Sequence, residues 1–367
     1  MQQNNIENQK IMIMAGGTGG HIFCALAVAN ALEDEGAILC WLGTKYGLET
    51  KLIGQKYPLF YLPVRGVRKK GLIKNMTLPF KLVYAIYKAI RIIKEQKIKV
   101  VVGFGGYPAI SGGLAACLIR VPLIIHEQNA RPGITNRILA KFTRKVLCAF
   151  PTSMFKNKTK IKIVGNPIRN EIKTLYKEKH DFYKHGLNLL VLGGSQGAKI
   201  LNELIPQFIM DLPKENCVNL WHQTGEQAYQ KTQKAYHLIS TNYSCNLRIN
   251  SFISDIEEAY RWADVIICRS GALTVSELAC AGLPALFIPF AKAVDNHQYY
   301  NAQFLVQVEA AMCMSEQSVS VQKLIAFVRM MDMNRNQLKK MSNNGKGVAK
   351  LDAVEKIVAE IKKYIST

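Results

Sequence analysis

Residues 264–290 constrain the fold most. Asp264-Val265-Ile266-Ile267-Cys268 is a short apolar run of the kind a buried parallel strand requires. Arg269-Ser270-Gly271-Ala272 reads as a tight turn. Leu273 to Ala281 predicts a helix, stopped by Gly282 and Pro284, and Pro284 to Phe290 predicts a second strand. In such a unit the helix N-terminus lies at the C-terminal edge of a parallel sheet, where its N–H groups suit a phosphate. Glu277 sits about one turn inside the helix, where a carboxylate can accept hydrogen bonds from a ribose diol. Asp295, Gln298 and Asn301 bring further polar groups to the same rim. The alternative is an ordinary βαβ unit in which Glu277 only caps its helix.

The same grammar occurs twice more. Lys10 to Ala15 is a strand, Gly16-Gly17-Thr18-Gly19-Gly20-His21 a tight loop, and Ile22 to Glu33 a helix. Leu189 to Leu192 is a strand, Gly193-Gly194-Ser195-Gln196-Gly197-Ala198 a loop, and Lys199 to Met210 a helix. Glycines at such turns let a backbone approach phosphate or sugar closely. This echo predicts an α/β chain of two similar domains, 1–166 and 167–349, divided at the turn Gly165-Asn166-Pro167-Ile168-Arg169. The tail is expected to be helical. The second strand, Ile38 to Leu42, ends in Gly43-Thr44 with no acid to grip a ribose, so a nicotinamide-binding first domain is excluded.

Polar residues at strand ends are the remaining candidates. Leu123-Ile124-Ile125 runs into His126-Glu127-Gln128-Asn129, an abrupt change that places these groups at a sheet's C-terminal edge. For His126 and Gln128 a buried structural role is equally open. His21, at a helix start, is a candidate general base or else a histidine that only caps its loop.

The formal net charge of +22 implies an anionic partner. Residues 65–99 hold eleven Lys or Arg against Glu95 alone, interleaved with Leu72, Ile73, Met76, Leu78, Phe80 and Leu82. A basic rim around apolar groups suits an anionic membrane surface; a solvated basic helix packed by its other face is the alternative. No nucleic-acid module or aromatic-interleaved patch is present, so no nucleic-acid partner is expected. Val100 to Ile119 is uncharged and long enough to span a bilayer, but its five glycines and Pro108 divide it into strand, loop and helix. Nine scattered cysteines form no C-x-x-C pair, and no D-x-D motif stands where a metal-dependent transferase would place it. No metal and no cofactor are expected.

The motifs GGTGGHIF (16–23), WLGT (41–44), GFGGY (103–107), HEQN (126–129), VGNPIR (164–169), GGSQGA (193–198), RSGALTVSELACAGLPALFIPF (269–290) and DNHQYYNA (295–302) occur in one order over nearly the whole chain. Together they resemble the MurG family, the UDP-N-acetylglucosamine:N-acetylmuramyl-(pentapeptide) pyrophosphoryl-undecaprenol N-acetylglucosaminyltransferases of peptidoglycan synthesis. The resemblance implies a GT-B fold, two Rossmann-like domains with parallel sheets facing across a cleft, the C-terminal helix at about 350–367 packing back on the first. It implies inverting, metal-independent transfer of GlcNAc from UDP-GlcNAc to the 4-hydroxyl of MurNAc in lipid I, at the cytoplasmic face of the bacterial inner membrane. Cell-wall assembly, cell shape and division would depend on it.

Carried over by position, Glu277 would hold the ribose hydroxyls and the Ile253 backbone would read the uracil edge. Ser195 and Arg169 would contact the diphosphate. Ala272, Leu273, Thr274, Val275 and Ser276 would form the helix N-terminus beneath it, and Gln298 would bind the sugar hydroxyls. Thr18, Gly19, Gly20 and Asn129 would close over the sugar. His21 is the first candidate base and Glu127 the second. Two positions depart from the family. Cys24 replaces a common Pro, which is expected to loosen the helix start. Arg131-Pro132 follows HEQN where small or apolar residues are usual, and Arg131 is a candidate contact for the lipid diphosphate. A transferase of the same fold acting on a diacylglycerol is the rival, to be decided by 126–133 and 65–80.

Overall fold

The structure, a computed structural model, describes residues 6–16, 19–45, 48–53, 55–63, 78–183, 186–194, 196–213, 218–240 and 245–365. Thr18, Ser195 and the 64–77 part of the basic segment lie outside the described residues. The chain divides into two units, Met1–Ile168 with Lys350–Thr367, and Arg169–Ala349.

In the first unit the strands are β1 (Lys10–Met14), β2 (Ile38–Thr44), β3 (Leu59–Leu62), β4 (Val100–Gly103), β5 (Leu123–Glu127), β6 (Lys145–Cys148) and β7 (Ile161–Ile163). They form one parallel sheet in the order β3-β2-β1-β4-β5-β6-β7. The helices between them are α1 (Gly19–Asp34), α2 (Leu48–Leu52), α3 (Leu78–Glu95), α4 (Tyr107–Leu118) and α5 (Ile134–Leu139). Apolar side chains of alternate strand positions, among them Met12, Met14, Val101 and Ile125, pack under α3 and α4. The order reverses beside β1, which makes the ends of β1 and β4 the switch point where such folds take ligands.

The second unit repeats the plan. Helix α6 (Asn170–Leu175) precedes β8 (Leu187–Leu192), α7 (Lys199–Asp211), β9 (Val218–Gln223), α8 (Tyr229–Ser240) and β10 (Leu247–Asn250). Then come α9 (Ile256–Trp262), β11 (Val265–Cys268), α10 (Ala272–Ala281), β12 (Ala285–Phe287), α11 (His297–Val306), β13 (Ala311–Cys313), α12 (Val321–Met333) and α13 (Arg335–Val348). The sheet is parallel in the order β10-β9-β8-β11-β12-β13, with its switch point between β8 and β11. Leu189, Val191, Ile267, Leu286 and Phe208 sit in its core.

The last helix, α14 (Ala353–Lys362), packs on α1 within the first unit. Its buried Glu360 carboxylate accepts from Lys162 Nζ at 2.6 Å and Lys363 Nζ at 2.7 Å. A carboxylate taken out of water needs such partners, and they fix where the helix docks.

Two expectations change in detail. The strand predicted over Pro284 to Phe290 is only Ala285–Phe287, because beyond it the backbone turns from the sheet and the Phe290 N–H donates to Gln298 Oε1 at 2.9 Å. Helix α1 starts on Gly19, three residues earlier than Ile22, and Cys24 is fully buried inside it. No helix among the described residues is long and apolar enough to cross a membrane, and 100–119 divides into β4, a loop and α4.

Candidate functional site

In the first unit, candidate residues gather at the C-terminal ends of β1, β4 and β5. The loop after β4 lies against the loop after β1. Gly106 has φ +85°, and a Cβ there would stand 2.2 Å from the Gly16 carbonyl oxygen, so only glycine allows the two loops to touch. His21 lies over the same junction. Its Nδ1 is 3.3 Å from the Gly16 carbonyl, and its Nε2 faces Gly105. The half-buried ring therefore caps its loop through one nitrogen and turns the other toward the glycines after β4. Gly19 and Gly20 form the first turn of α1 beside it.

At the end of β5, His126 and Glu127 are buried, still inside the ladder opposite Leu147 and Cys148. His126 Nε2 donates to the Gly165 carbonyl at 3.0 Å, and Nδ1 accepts from Gln128 at 3.2 Å. That pattern fits the neutral ring, and burial pushes its pKa down to about 4. Asn166 Nδ2 in turn donates to the Gln128 carbonyl at 3.1 Å. So His126 and Gln128 take the structural role.

Glu127 is the hub of its own loop. One oxygen accepts from the backbone N–H of Asn129 at 2.9 Å and from its Nδ2 at 3.2 Å. The other accepts from the Gly133 N–H at 3.1 Å and from Asn136 Nδ2 at 2.9 Å. Burial raises its pKa, while these donors oppose the rise. Four donors fill a carboxylate's acceptor positions. They also hold Asn129 through both its backbone and its side-chain amide.

In the second unit the loops after β8, β9, β11 and β12 converge. Gly197, at φ +76°, would place a Cβ 2.1 Å from the Thr224 carbonyl oxygen, so the loop after β8 is seated directly on the loop after β9. Gln223 joins three loops. Its Nε2 donates to the Gly194 carbonyl and its Oε1 accepts from the Ile253 N–H, each at 3.0 Å. The Ile253 N–H is thus engaged, which leaves its carbonyl as the backbone group for a base edge.

Gly271 caps α10 with no side-chain acceptor, and the first-turn residues Ala272, Leu273 and Thr274 are half-exposed at the helix N-terminus. Val275, Ser276 and Glu277 are buried behind it. Glu277 does not cap this helix. Its Oε2 accepts from the Tyr260 hydroxyl at 3.3 Å, and Arg169 Nε lies 3.5 Å from Oε1. Burial raises its pKa, and Arg169 works against that rise. A buried carboxylate with one phenol and a half-exposed guanidinium keeps acceptor capacity for a diol. Ser270 Oγ donates to the Gln298 carbonyl at 2.8 Å, and buried Asn301 donates to the Ser270 carbonyl at 3.2 Å. This holds the loop after β11 against α11. With its Oε1 bound to Phe290 N–H, Gln298 keeps its Nε2 donor for a ligand.

Sequence reasoning passed over Gln223, Tyr260 and Asn136. Each acts through a partner far away in sequence, and none carries a local signal beyond a polar atom at an apolar position.

Among known proteins, the Glycosyltransferase family 28 N-terminal domain matches residues 11–148 and the Glycosyltransferase family 28 C-terminal domain matches residues 188–357. The UDP-N-acetylglucosamine–N-acetylmuramyl-(pentapeptide) pyrophosphoryl-undecaprenol N-acetylglucosamine transferase of Francisella tularensis subsp. tularensis (strain FSC 198) is 43% identical over 99% of both chains. The protein of the same name from Coxiella burnetii (strain Dugway 5J108-111) is 42% identical over 97% of this chain and 98% of its own. A crystal structure of Acinetobacter baumannii MurG superposes with a TM-score of 0.83 at 37% identity, covering 97% of this chain and 99% of that one. An S. aureus MnaA–UDP co-structure, at 15% identity and a TM-score of 0.66, shares the fold alone. Two parallel-sheet α/β units with these likenesses make the fold GT-B, and the chain belongs to glycosyltransferase family 28.

Proposed function

We propose that this chain is an inverting hexosyltransferase that moves GlcNAc from UDP-GlcNAc to the 4-hydroxyl of MurNAc in undecaprenyl-pyrophosphoryl-MurNAc-pentapeptide, releasing UDP. The observation that carries the reading is the buried Glu277 carboxylate behind the half-exposed N-terminus of α10, with Arg169 beside it. Full-length identity of 43% to a transferase of that name supports the choice of substrates.

In this reading Glu277 takes the ribose diol and the Ile253 carbonyl takes the uracil edge. The first turn of α10, Ser195 and Arg169 face the diphosphate, and Gln298 donates to the sugar. Inversion requires a single displacement at the anomeric carbon. The acceptor oxygen forms the new bond as the bond to the UDP oxygen breaks, and the acceptor proton passes to a base. The helix dipole and the Arg169 guanidinium stabilise charge growing on the leaving diphosphate, the part a metal plays elsewhere. Of the two candidate bases, His21 fits better. Its ring stands over the junction of the loops after β1 and β4 with Nε2 toward Gly105, whereas the Glu127 oxygens already receive four donors inside their own loop. Glu127 is then a positioning residue for Asn129.

The acceptor side and the membrane fall to the first unit in this proposal, on the inner face of the plasma membrane. Helix α3 supports this. Ala85, Ala89, Ile92 and Ile93 face the core, while Phe80, Val83, Tyr84 and Tyr87 stand exposed among Lys81, Arg91 and Lys94. A helix with an exposed aromatic stripe and a basic flank lies well on an anionic bilayer.

The test is UDP release from UDP-GlcNAc with a short-chain lipid I analogue, in chelator. Acceptor-dependent release and a β-linked product are expected. His21→Ala should keep donor affinity and lose turnover. Donor binding without acceptor-dependent release would overturn the acceptor, and full turnover by His21→Ala would remove it as the base.

A further inference from the structure

We infer that the first unit carries a second ligand site at the opposite, N-terminal edge of its sheet, one that takes a phosphoryl group attached to a small apolar body. A cavity of about 510 Å³ opens there, lined by Arg120, Arg144, Lys160, Phe142, Tyr364 and Cys117, with Val121 and Leu123 among its apolar wall. The volume falls in the range of small-molecule sites.

Three features point to a phosphoryl ligand. The first is charge. Arg120, Arg144 and Lys160 come from three separate segments, and no acid lines the cavity. Among the described residues none of the three is in an ion pair. Between residues 50 and 170 the chain has twenty-four Lys and Arg and only Glu95 and Glu127 as acids, a surplus of 22 that equals the surplus of the whole chain. Glu127 is consumed inside its own loop, and Glu360, an acid on the helix before Tyr364, is engaged by Lys162 and Lys363.

The second is backbone conformation. Arg120 follows α4 with φ +62°, a left-handed position where a helix ordinarily ends on glycine or asparagine. Lys97 and Glu309 end their helices in the same way, so what this turn contributes is the placement of Arg120 on the cavity wall.

The third is shape. Phe142 is exposed and Tyr364 half-buried at the rim, so a phosphoryl group on the cations would put its substituent between two rings. Cys117 reports on the site, because Lys160 and Arg144 lie close enough to its thiol to oppose the rise in pKa that burial causes. The site lies at the ends of the strands remote from His21 and Glu127 and uses neither. Tyr364 belongs to the segment after α14, so a ligand there would also clamp the chain's last turn to the sheet.

Phenyl phosphate is the probe, added to the full chain with saturating UDP to occupy any nucleotide site. The readout is the rate of Cys117 alkylation by iodoacetamide, followed by peptide mass spectrometry. Phenyl phosphate should slow Cys117 at least five-fold and inorganic phosphate less, with no change at Cys313. Arg144→Ala with Lys160→Ala should abolish the protection. Arg120→Gly should weaken it several-fold while raising the melting temperature, opposite signs that a purely structural arginine would not give. Vesicles separate the sources of the ligand. Protection by phosphatidylglycerol but not phosphatidylcholine vesicles, lost in the Arg144→Ala, Lys160→Ala variant at vesicle concentrations that still bind it through α3, assigns a lipid headgroup; protection by phenyl phosphate alone assigns a soluble phosphate ester. No protection by any of these, or equal protection in the Arg144→Ala, Lys160→Ala variant, overturns the inference.

Discussion

Replacing Glu127 by glutamine separates a base from a positioning residue. In the folded chain its two oxygens receive four donors: the Asn129 N–H and Nδ2 on one side, the Gly133 N–H and Asn136 Nδ2 on the other. A glutamine amide keeps one oxygen, and its NH2 must face the other pair. Two donors, one of them the buried Asn136 amide when the NH2 faces that side, then meet a donor. Each stranded group costs about 1–3 kcal/mol. The loss is smaller at Asn136, whose Nδ2 also donates to the His126 carbonyl at 3.1 Å. Its own Oδ1 is buried without a hydrogen bond and can swing round to accept from the new amide. The net cost is therefore near the low end for two groups, about 2–3 kcal/mol. Local opening of the loop should rise accordingly, and amide exchange at Asn129 and Gly133 should quicken roughly thirty- to one-hundred-and-fifty-fold. Turnover should fall with it, because the loop that carries Asn129 is then closed for less of the time. Exchange mass spectrometry on Glu127→Gln, with turnover on the same sample, makes the test. If exchange at 129–133 stays at the wild-type rate while turnover collapses, Glu127 acts on the proton itself and the positioning argument fails.

Three further outcomes follow from buried groups and from one exposed face. His126 and His222 are buried and neutral, with pKa values pushed down to about 4 and about 3 from the ordinary 6.5. The unfolded chain binds those protons first, so stability is complete above pH 6.5 and falls by about 1.4 kcal/mol per pH unit per histidine as pH drops below it. Melting temperature measured from pH 7.5 to 4.5 should fall, and a melting temperature flat to pH 5 would contradict the neutral assignment. Gly106→Ala forces a Cβ into the Gly16 carbonyl at positive φ and should cost about 3 kcal/mol or more and displace the Gly16 carbonyl that faces His21 Nδ1; urea unfolding with the midpoint unchanged would refute that contact. Replacing Phe80, Tyr84 and Tyr87 together by Ala should leave the fold intact, since all three are exposed, and cut binding to phosphatidylglycerol vesicles at least ten-fold in a sedimentation assay; unchanged binding would remove α3 as the membrane face.

The sheets were legible because parallel strands buried on both faces are apolar throughout, and runs such as Val265–Cys268 and Leu189–Leu192 admit few other readings. Ends were less legible, since apolar character outlasts the ladder. Phe290 continues the run after Phe287, yet its N–H goes to Gln298 and its ring is exposed beside the Arg269 guanidinium. At β5 the opposite holds: His126 and Glu127 are polar and yet remain paired with β6.

The candidate site divides along the same line. Glu277 and the N-terminus of α10 could be read locally, because a glycine turn between an apolar run and a short helix fixes where the helix points. What keeps Glu277 in place could not. Tyr260 lies seventeen positions upstream on α9 and Arg169 more than a hundred, and only the sheet order brings them to one carboxylate. Gln223 likewise ties Gly194 to Ile253 from the end of β9. These contacts are made at the edge of a sheet whose order, β9-β8-β11, runs against the order of the chain. A motif states which groups a site presents. The residues that orient them come from neighbouring strands in space, which is why Glu127 looks like a base in the sequence and is a hub in the fold.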